Sequence, residues 1–455
     1  SFLAILGTML LMFFQGKKFL SSENAFKGMV VIAGSFLVTA IAKVSVTDAT
    51  VLFTSTLCAF GIINTLRNPN WKWISLFWLG FALGILTKGP PIIIFTGAFV
   101  GILFIVHPQR MNLLKLHPWF FLPIAVAPAF LWGYLTYLND DGVFLAWMYD
   151  WYVLQRINGE VFGQTGPIGT HILAMCVFFL PFLLYIPLAL YSMGKGMVQK
   201  NETATLLFSW FLAGWLLYEF SPSKLPAYVI AAHVPFAIMI ALQLGKGIPF
   251  KTVFDKIFTT FHFLIQFVLS LALCSVPFYL QLPQNISLLL SILGLILMII
   301  TVFIIIKRNH HQLHFYQMGG ALLFILSAWT VAPQITQLIN SSKRVALVIG
   351  EKEPPPNHVF IGHNFGEQPS LPYYLLTKGC EITDATQYTP EQLFEKSYAM
   401  ELNVFILSKE QYDFFCQQVG RKIPFESVKS LIIDRKETAD YYIVTSPSIS
   451  SISIP

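Results

Sequence analysis

The chain is built from apolar runs of about twenty residues, each long enough to cross a bilayer as a helix, separated by short breaks that hold most of the charge. Met29 to Val46 is interrupted only by Ser35, Thr39, Lys43 and Ser45, and Ala49 to Leu66 is again almost free of charge. Between them stands Asp48. The 455 residues are 55% hydrophobic and 11% charged, less than half the charge of an ordinary soluble domain. A polytopic membrane protein follows. The net charge of +6 does not indicate nucleic-acid binding, because the cations are dispersed singly between spans instead of forming one patch.

Hydropathy read together with basic loops gives about twelve spans, near 2–15, 28–47, 49–66, 73–88, 90–106, 117–137, 168–192, 204–220, 225–243, 257–282, 286–306 and 315–334. The loops after the odd spans carry Lys17 and Lys18, Arg67 and Lys72, Arg110 and Lys115, Lys195 and Lys200, Lys246 and Lys251, then Lys307 and Arg308. The positive-inside rule turns these loops toward the cytoplasm and puts Asp48, Lys88, the 137–167 segment and Lys224 outside. Ser1 then also falls outside, with no initiator Met before it. The expectation is an N-terminally incomplete chain lacking at least one helix and its outer loop.

An acid beside hydrocarbon costs several kcal/mol unless it meets water or a cation, so Asp48 is either a functional carboxylate or a solvated turn residue capping the next helix. Its company bears on the choice. Lys43, Lys88, Arg156 and Lys224 all lie at span ends on the same outer side. Lys88 sits in Leu86-Thr87-Lys88-Gly89-Pro90-Pro91, where Gly and Pro end one helix and restart another. Lys224 sits in a second such elbow, Ser221-Pro222-Ser223-Lys224-Leu225-Pro226-Ala227-Tyr228. Any one lysine can be explained by snorkelling to the headgroups; gathered together on the leaflet opposite the basic loops, they suit a phosphate-bearing headgroup. The 137–167 segment adds Trp147, Tyr149, Trp151 and Tyr152, which read either as an interfacial anchor or as part of the same surface. Glu219, His233 and His262, in or near apolar stretches, read as hydrogen-bonded interior residues or helix-end groups.

From Ser341 the composition becomes that of a soluble α/β domain. The domain organisation is a transmembrane helical bundle over 1–340 and a small extracytoplasmic α/β domain over 341–455, in a mainly α chain. Val345-Ala-Leu-Val-Ile, His358-Val-Phe-Ile, Asn403-Val-Phe-Ile-Leu and Tyr441-Tyr-Ile-Val read as strands, and Pro390–Ala399 and Lys409–Val419 as helices, the first capped by Thr389. Cys380 and Cys416 share this region, and an outer location would let them oxidise to a disulfide. Neither a Gly-rich phosphate loop nor a nucleophile elbow is present. No metal is assigned: His310, His311 and His314 lack a matching carboxylate. No cofactor is assigned either, and dependence on a divalent metal stays open, with no motif to support it.

The stretches Ala42-Lys43-Val-Ser-Val-Thr47-Asp48-Ala49, Gly84-Ile-Leu-Thr87-Lys88-Gly89-Pro90 and Ser221-Pro-Ser-Lys224-Leu225-Pro226-Ala-Tyr228 resemble, in order and spacing, bacterial polyprenyl-phosphate-sugar-dependent glycosyltransferases. The branch is that of the aminoarabinose (lipid A) transferases and protein mannosyltransferases in the C-type (GT-C) superfamily. Gly166-Pro167 leading to Phe179-Leu180-Pro181, and Pro369-Ser370-Leu371-Pro-Tyr373-Tyr374, resemble further pieces of it. The resemblance implies sugar transfer from an undecaprenyl-phosphate carrier to a lipid, glycan or protein acceptor at the outer face of the bacterial inner membrane. It implies that Lys88, Lys224, Arg156 and Lys43 meet the donor phosphate, although Lys43 stands where relatives often carry Arg. Asp48 matches the family's accessory active-site carboxylate, and Tyr152, Ser221 and Tyr228 are expected to line the substrate pocket. The resemblance places the family's principal acid in the first outer loop, which is expected to lie upstream of Ser1. Two rivals come from other classes: a transporter, which would concentrate ionisable groups near the midplane, and a non-catalytic assembly partner.

Overall fold

The computed structural model describes residues 1–155, 165–246, 252–279, 284–306, 313–339, 341–352, 356, 358–363, 370–397, 403–432 and 437–446. They form two compact units, Ser1–Ala328 and Trp329–Pro455.

The first unit is helical throughout. Its helices are Phe2–Gly16 (α1), Ser22–Ala33 (α2), Phe36–Lys43 (α3), Asp48–Arg67 (α4), Trp71–Lys88 (α5), Pro90–Val106 (α6), Pro118–Asp140 (α7) and Val143–Tyr149 (α8). Then follow Thr170–Phe178 (α9), Ile186–Val198 (α10), Glu202–Phe220 (α11), His233–Leu244 (α12), Val253–Tyr279 (α13), Gln284–Ile306 (α14) and Leu313–Ile339 (α15), the last beginning in this unit and continuing past Ala328. Short tight helical turns at Leu180–Tyr185 and Pro226–Ala232 lead into α10 and α12.

Each of the twelve expected spans contains helix over its described residues, but not every one is a straight crossing. Among the described residues six helices are long and apolar enough to cross a membrane, or up to eight if each bent pair is one span. The expected span 28–47 is α2 and α3 bent by 67°, and 168–192 is α9 and the following segment bent by 111°. Gly34 sits at the first bend, where a Cβ would lie 2.7 Å from the Phe182 ring. At the second bend Pro181 lacks an N–H, and its carbonyl accepts hydrogen bonds from Gln266 Nε2 at 3.2 Å and Gln317 Nε2 at 2.7 Å. Side chains of α13 and α15 thus satisfy backbone that the break leaves bare, as buried broken helices require. The α1 and α6 stretches are apolar helices of 15 and 17 residues.

At the centre of the unit stands α4, with nine-tenths of its apolar window buried. It packs closely on α5 because glycines face the contact. A Cβ on Gly61 would lie 2.8 Å from the Phe77 backbone, and one on Gly80 would lie 3.0 Å from the Thr54 carbonyl oxygen. In turn α6 packs on α4, α5 and α11.

In the second unit five strands, His358–Ile361 (β1), Glu381–Asp384 (β2), Asn403–Leu407 (β3), Glu426–Ile432 (β4) and Glu437–Thr445 (β5), form one sheet in the order β2-β1-β3-β5-β4. β2, β1 and β3 run parallel and β5 and β4 antiparallel. The period of two along β3 divides the core. Val404 and Ile406 join Val359, Ile361, Leu371 and Leu375 on one face, and Phe405 and Leu407 join Leu393, Tyr412 and Phe415 on the other. The 345–349 run is a helix, Ser341–Gly350 (α16), and not the expected strand. Val345, Ala346 and Ile349 are buried together, a spacing that fits one helical face. Helices Ser370–Leu376 (α17), Pro390–Lys396 (α18) and Lys409–Val419 (α19) complete the unit, and Thr389 caps α18 in a reciprocal capping box with Gln392. Cys380 and Cys416 are both free thiols, one in each of the two core clusters. The sheet between them rules out the disulfide that their shared region had allowed.

Candidate functional site

Asp48 opens α4 and Lys88 closes α5, so the antiparallel pair brings the two together. Each suits its helix end, an acid in the first turn and a cation in the last. Lys88 Nζ lies 2.6 Å from Asp48 Oδ1, with side-chain exposures of 29% and 17%. Gly89, at φ +69°, ends α5 in a conformation that disfavours a side chain, and Pro90 and Pro91 start α6 at once. The elbow therefore fixes Lys88 at the mouth of the bundle, partly open to solvent.

Lys43 ends α3 and is exposed. The start of the chain lies near it: Ser1 Oγ is 3.4 Å from the Val46 carbonyl oxygen.

The second elbow behaves differently from its sequence. Lys224 is turned inward, with its side chain 3% exposed, and donates to the main-chain carbonyl of Glu219 while lying 3.8 Å from Glu219 Oε1. Glu219 is equally buried. Its carboxylate accepts from the backbone N–H of Gly169 at 2.8 Å, His171 at 3.2 Å and Ile172 at 3.1 Å, and from Trp215 Nε1 at 2.6 Å. The three amides belong to the opening of α9, whose donors have no helical partner. His171 Nε2 lies 3.2 Å from the Leu225 carbonyl oxygen. An isolated bridge between Thr165 and Ser223 completes the connection between the 165–172 segment and the elbow.

These groups share one end of the bundle. The end of α4 opposite Asp48 carries Arg67, and Arg67 Nε meets Glu202 Oε1 at 2.9 Å. Glu202 begins α11, so Glu219 near its other terminus lies at the Asp48 end. The two charged groups stand on helices, α4 and α11, that both pack on α6. Ser221 is half-buried as the C-cap of α11. Tyr228 is half-buried, its ring 5.8 Å from that of Tyr218. Tyr152 is exposed in the turn after α8, edge-on to Trp147. Arg156 lies outside the described residues.

Sequence reasoning set Glu219 aside as an interior group and did not single out His171 or Trp215. Nothing local marks them: the bonds that join Glu219 to α9 span 47 to 50 residues. His233 and His262 are buried, with His233 Nδ1 3.1 Å from the Val229 carbonyl oxygen and His262 Nε2 3.4 Å from Gln317 Nε2. Among the described residues no three His, Cys, Asp or Glu side chains converge to hold a metal ion.

No family model matches the chain. It is 26% identical over 253 residues to the undecaprenyl phosphate-alpha-4-amino-4-deoxy-L-arabinose arabinosyl transferase of Edwardsiella ictaluri, covering 52% of this chain and 44% of that protein. It is 24% identical over 242 residues to arabinosyl transferase 2 of Proteus mirabilis, covering 48% and 40%. The matches span less than half the length of these curated relatives. Two crystal structures of ArnT from Cupriavidus metallidurans are similar in fold. The one bound to undecaprenyl phosphate has a TM-score of 0.70 at 14% identity, over 100% of this chain and 84% of that one. The apo form has a TM-score of 0.65 at 13% identity, over 100% and 83%. The chain is thus similar in sequence to aminoarabinose transferases and in fold to ArnT. The chain is a multi-pass membrane protein with a helical bundle and a small C-terminal domain.

Proposed function

We propose that this chain is an integral-membrane glycosyltransferase that moves a sugar, 4-amino-4-deoxy-L-arabinose in the first instance, from an undecaprenyl-phosphate carrier to lipid A at the outer face of the inner membrane. The observation that carries the reading is the half-exposed Lys88–Asp48 pair at a Gly-Pro elbow, in a fold shared with a transferase bound to undecaprenyl phosphate.

The chemistry asks for what this pair supplies. An acceptor hydroxyl oxygen attacks the anomeric carbon while the bond from that carbon to the phosphate oxygen breaks, and the phosphate leaves with the electron pair. A cation fixed beside the leaving oxygens stabilises that charge in a site of low dielectric. We assign this role to Lys88, with Lys43 and Arg156 as further phosphate contacts. Asp48 holds Lys88 and orients polar groups of donor or acceptor. Asp48 is engaged by Lys88, so the proton of the acceptor hydroxyl passes to a general base other than Asp48. Lys224 is satisfied by Glu219 and is assigned to holding its elbow, and Ser221 and Tyr228 on that elbow are assigned to substrate contact. Tyr152 is assigned to the aromatic rim.

The test is transfer by the purified full-length protein in lipid nanodiscs, given radiolabelled undecaprenyl-phosphate aminoarabinose and lipid A. We expect label in lipid A, and a fall of about 10² or more in turnover for Lys88→Ala, the loss typical for removing one stabilising donor. A protein that moves the intact donor across a vesicle membrane without cleaving it would be a transporter, and the proposal would be abandoned.

A further inference from the structure

The proposed transfer uses the Asp48 end of the bundle and leaves the other end unexplained. There, the termini of α1, α4, α5, α6 and α11 surround an open cleft of about 540 Å³ lined by Lys18, Asn64, Arg67, Asn68, Trp73, Gln109 and Glu202. We infer that this cleft binds a phosphate-bearing anion. The reading goes beyond sugar transfer and does not depend on it.

Charge is the first ground. Lys18 Nζ lies 4.1 Å from the Trp73 ring centroid and Lys72 Nζ lies 5.1 Å from the same centroid, so one indole holds two ammonium groups near each other. Lys17 is the chain neighbour of Lys18. Burial, and then the charges of Lys72 and Lys17, press the Lys18 ammonium below its ordinary range. Glu202 is the one carboxylate lining the cleft, and Arg67 already holds it at 2.9 Å. Topology demands cations on one side of a membrane. It does not demand that Lys18, from the turn after α1, meet Arg67 and Trp73, from either side of the α4–α5 turn, in one hollow with Lys72 at its rim, where the repulsion of the cations is a cost until an anion offsets it.

Donor geometry is the second ground. Arg67 Nε and one Nη are directed at Glu202 and at the Lys18 carbonyl oxygen, which locks a planar guanidinium at the cleft wall. The other N–H donors of that fixed guanidinium, with the Lys18 ammonium in the same cleft, suit the several acceptor oxygens of a phosphate. The volume exceeds that of a bare phosphate, so a phosphate carrying a small polar substituent fits: the headgroup of an acidic phospholipid or a soluble phosphorylated compound.

The test is the thermal midpoint of the purified full chain in neutral detergent, where a ligand of the folded state stabilises by mass action. Dioleoyl phosphatidylglycerol is compared with dioleoyl phosphatidylcholine, and inorganic phosphate with chloride at matched ionic strength. We expect a rise of a few degrees with phosphatidylglycerol, phosphate or both; the lipid alone assigns the site to a headgroup, and phosphate assigns it to a soluble anion. Lys18→Gln with Lys72→Gln should abolish the rise, and Lys72→Gln alone, a surface change safe for folding, should reduce it. Lys195→Gln, an exposed lysine that does not line the cleft, should leave it intact. No rise with either anion, a full rise in the Lys72→Gln variant, or an equal loss in Lys195→Gln overturns the inference.

Discussion

Glu219 carries more of the candidate site than any residue singled out from the sequence, and its worth can be reckoned contact by contact. One carboxylate satisfies three orphan amides of α9, the Trp215 indole and the Lys224 ammonium. Removing one member of a buried ion pair typically costs about 3–5 kcal/mol, because the other charge is left alone. Glu219→Ala should therefore lower the thermal midpoint strongly. Glu219→Gln, which keeps an acceptor but sets an amide donor among donors, should cost about 1–3 kcal/mol. Wild-type stability in Glu219→Gln, read by thermal unfolding in detergent, would mean that the carboxylate is not the tie described. A second residue makes a pH prediction. His107 follows α6, its Nδ1 accepts from the Gln109 N–H at 3.2 Å, and burial, opposed by the nearby Glu202 charge, pulls its pKa below the ordinary 6.5. The unfolded chain then binds the proton more readily than the folded one, so this contribution to stability is complete above pH 6.5 and is lost as pH falls below it. The midpoint should drop between pH 7.5 and 5.5, and His107→Gln should flatten that slope; an unchanged slope would remove His107 as its source. At this scale the sequence was partly legible. Lys88 sits in a motif bounded by Gly and Pro, which reports backbone geometry, and Asp48 is the lone acid between two apolar runs. Glu219 and His171 are recognisable only once two distant helices are packed, because a carboxylate's partners here are amides, and an amide has no residue signature.

The helices hold these residues in place through close approach, and glycine is what permits it. Gly61 and Gly80 let α4 and α5 touch along their backbones, which sets the ends of both helices and so the 2.6 Å contact between Asp48 and Lys88. Over-packing such an interface costs about 1–3 kcal/mol. Gly61→Val should lower both the thermal midpoint and transfer, while Gly101→Val, where a Cβ meets nothing within 4 Å, should change neither. Equal behaviour of the two variants, measured side by side, would mean that the α4–α5 crossing does not position the site. Most helices could be read from hydropathy because a lipid-facing or buried helix must be apolar over its whole length. Bends were harder. The breaks at Gly34 and at Phe179-Leu180-Pro181 lie inside runs that stay apolar, since the freed backbone is satisfied by Gln266 and Gln317 from helices far along the chain. The 345–349 run fails for a related reason: five apolar residues fit a strand or one face of a short helix equally well, and packing against α17 selects the helix.

On the scale of the whole first unit, the charge pattern along the chain becomes a polarity in space. A twenty-residue helix is about 30 Å long, close to the hydrocarbon thickness of a bilayer, and α4 carries Asp48 at one terminus and Arg67 at the other. The loops expected on one side meet around Arg67: its guanidinium reaches Glu202 and the Lys18 carbonyl oxygen, and Asn112 Nδ2 donates to the Leu66 carbonyl oxygen at 2.7 Å. Segments expected on the other side meet around Asp48: Ser1, Val46 and Lys88. This separation agrees with the sorting of loops by their lysines and arginines. It also fixes what a labelling experiment must give. Lys17→Cys and Val44→Cys place exposed thiols at opposite ends. In intact cells whose outer membrane has been made permeable, a charged maleimide should label Val44→Cys above the parent chain and leave Lys17→Cys untouched until the inner membrane is opened. The reverse pattern would put Lys88 on the cytoplasmic side, away from an outer-leaflet acceptor, and would remove the proposed reaction while leaving the fold and the cleft at Lys18 as they are.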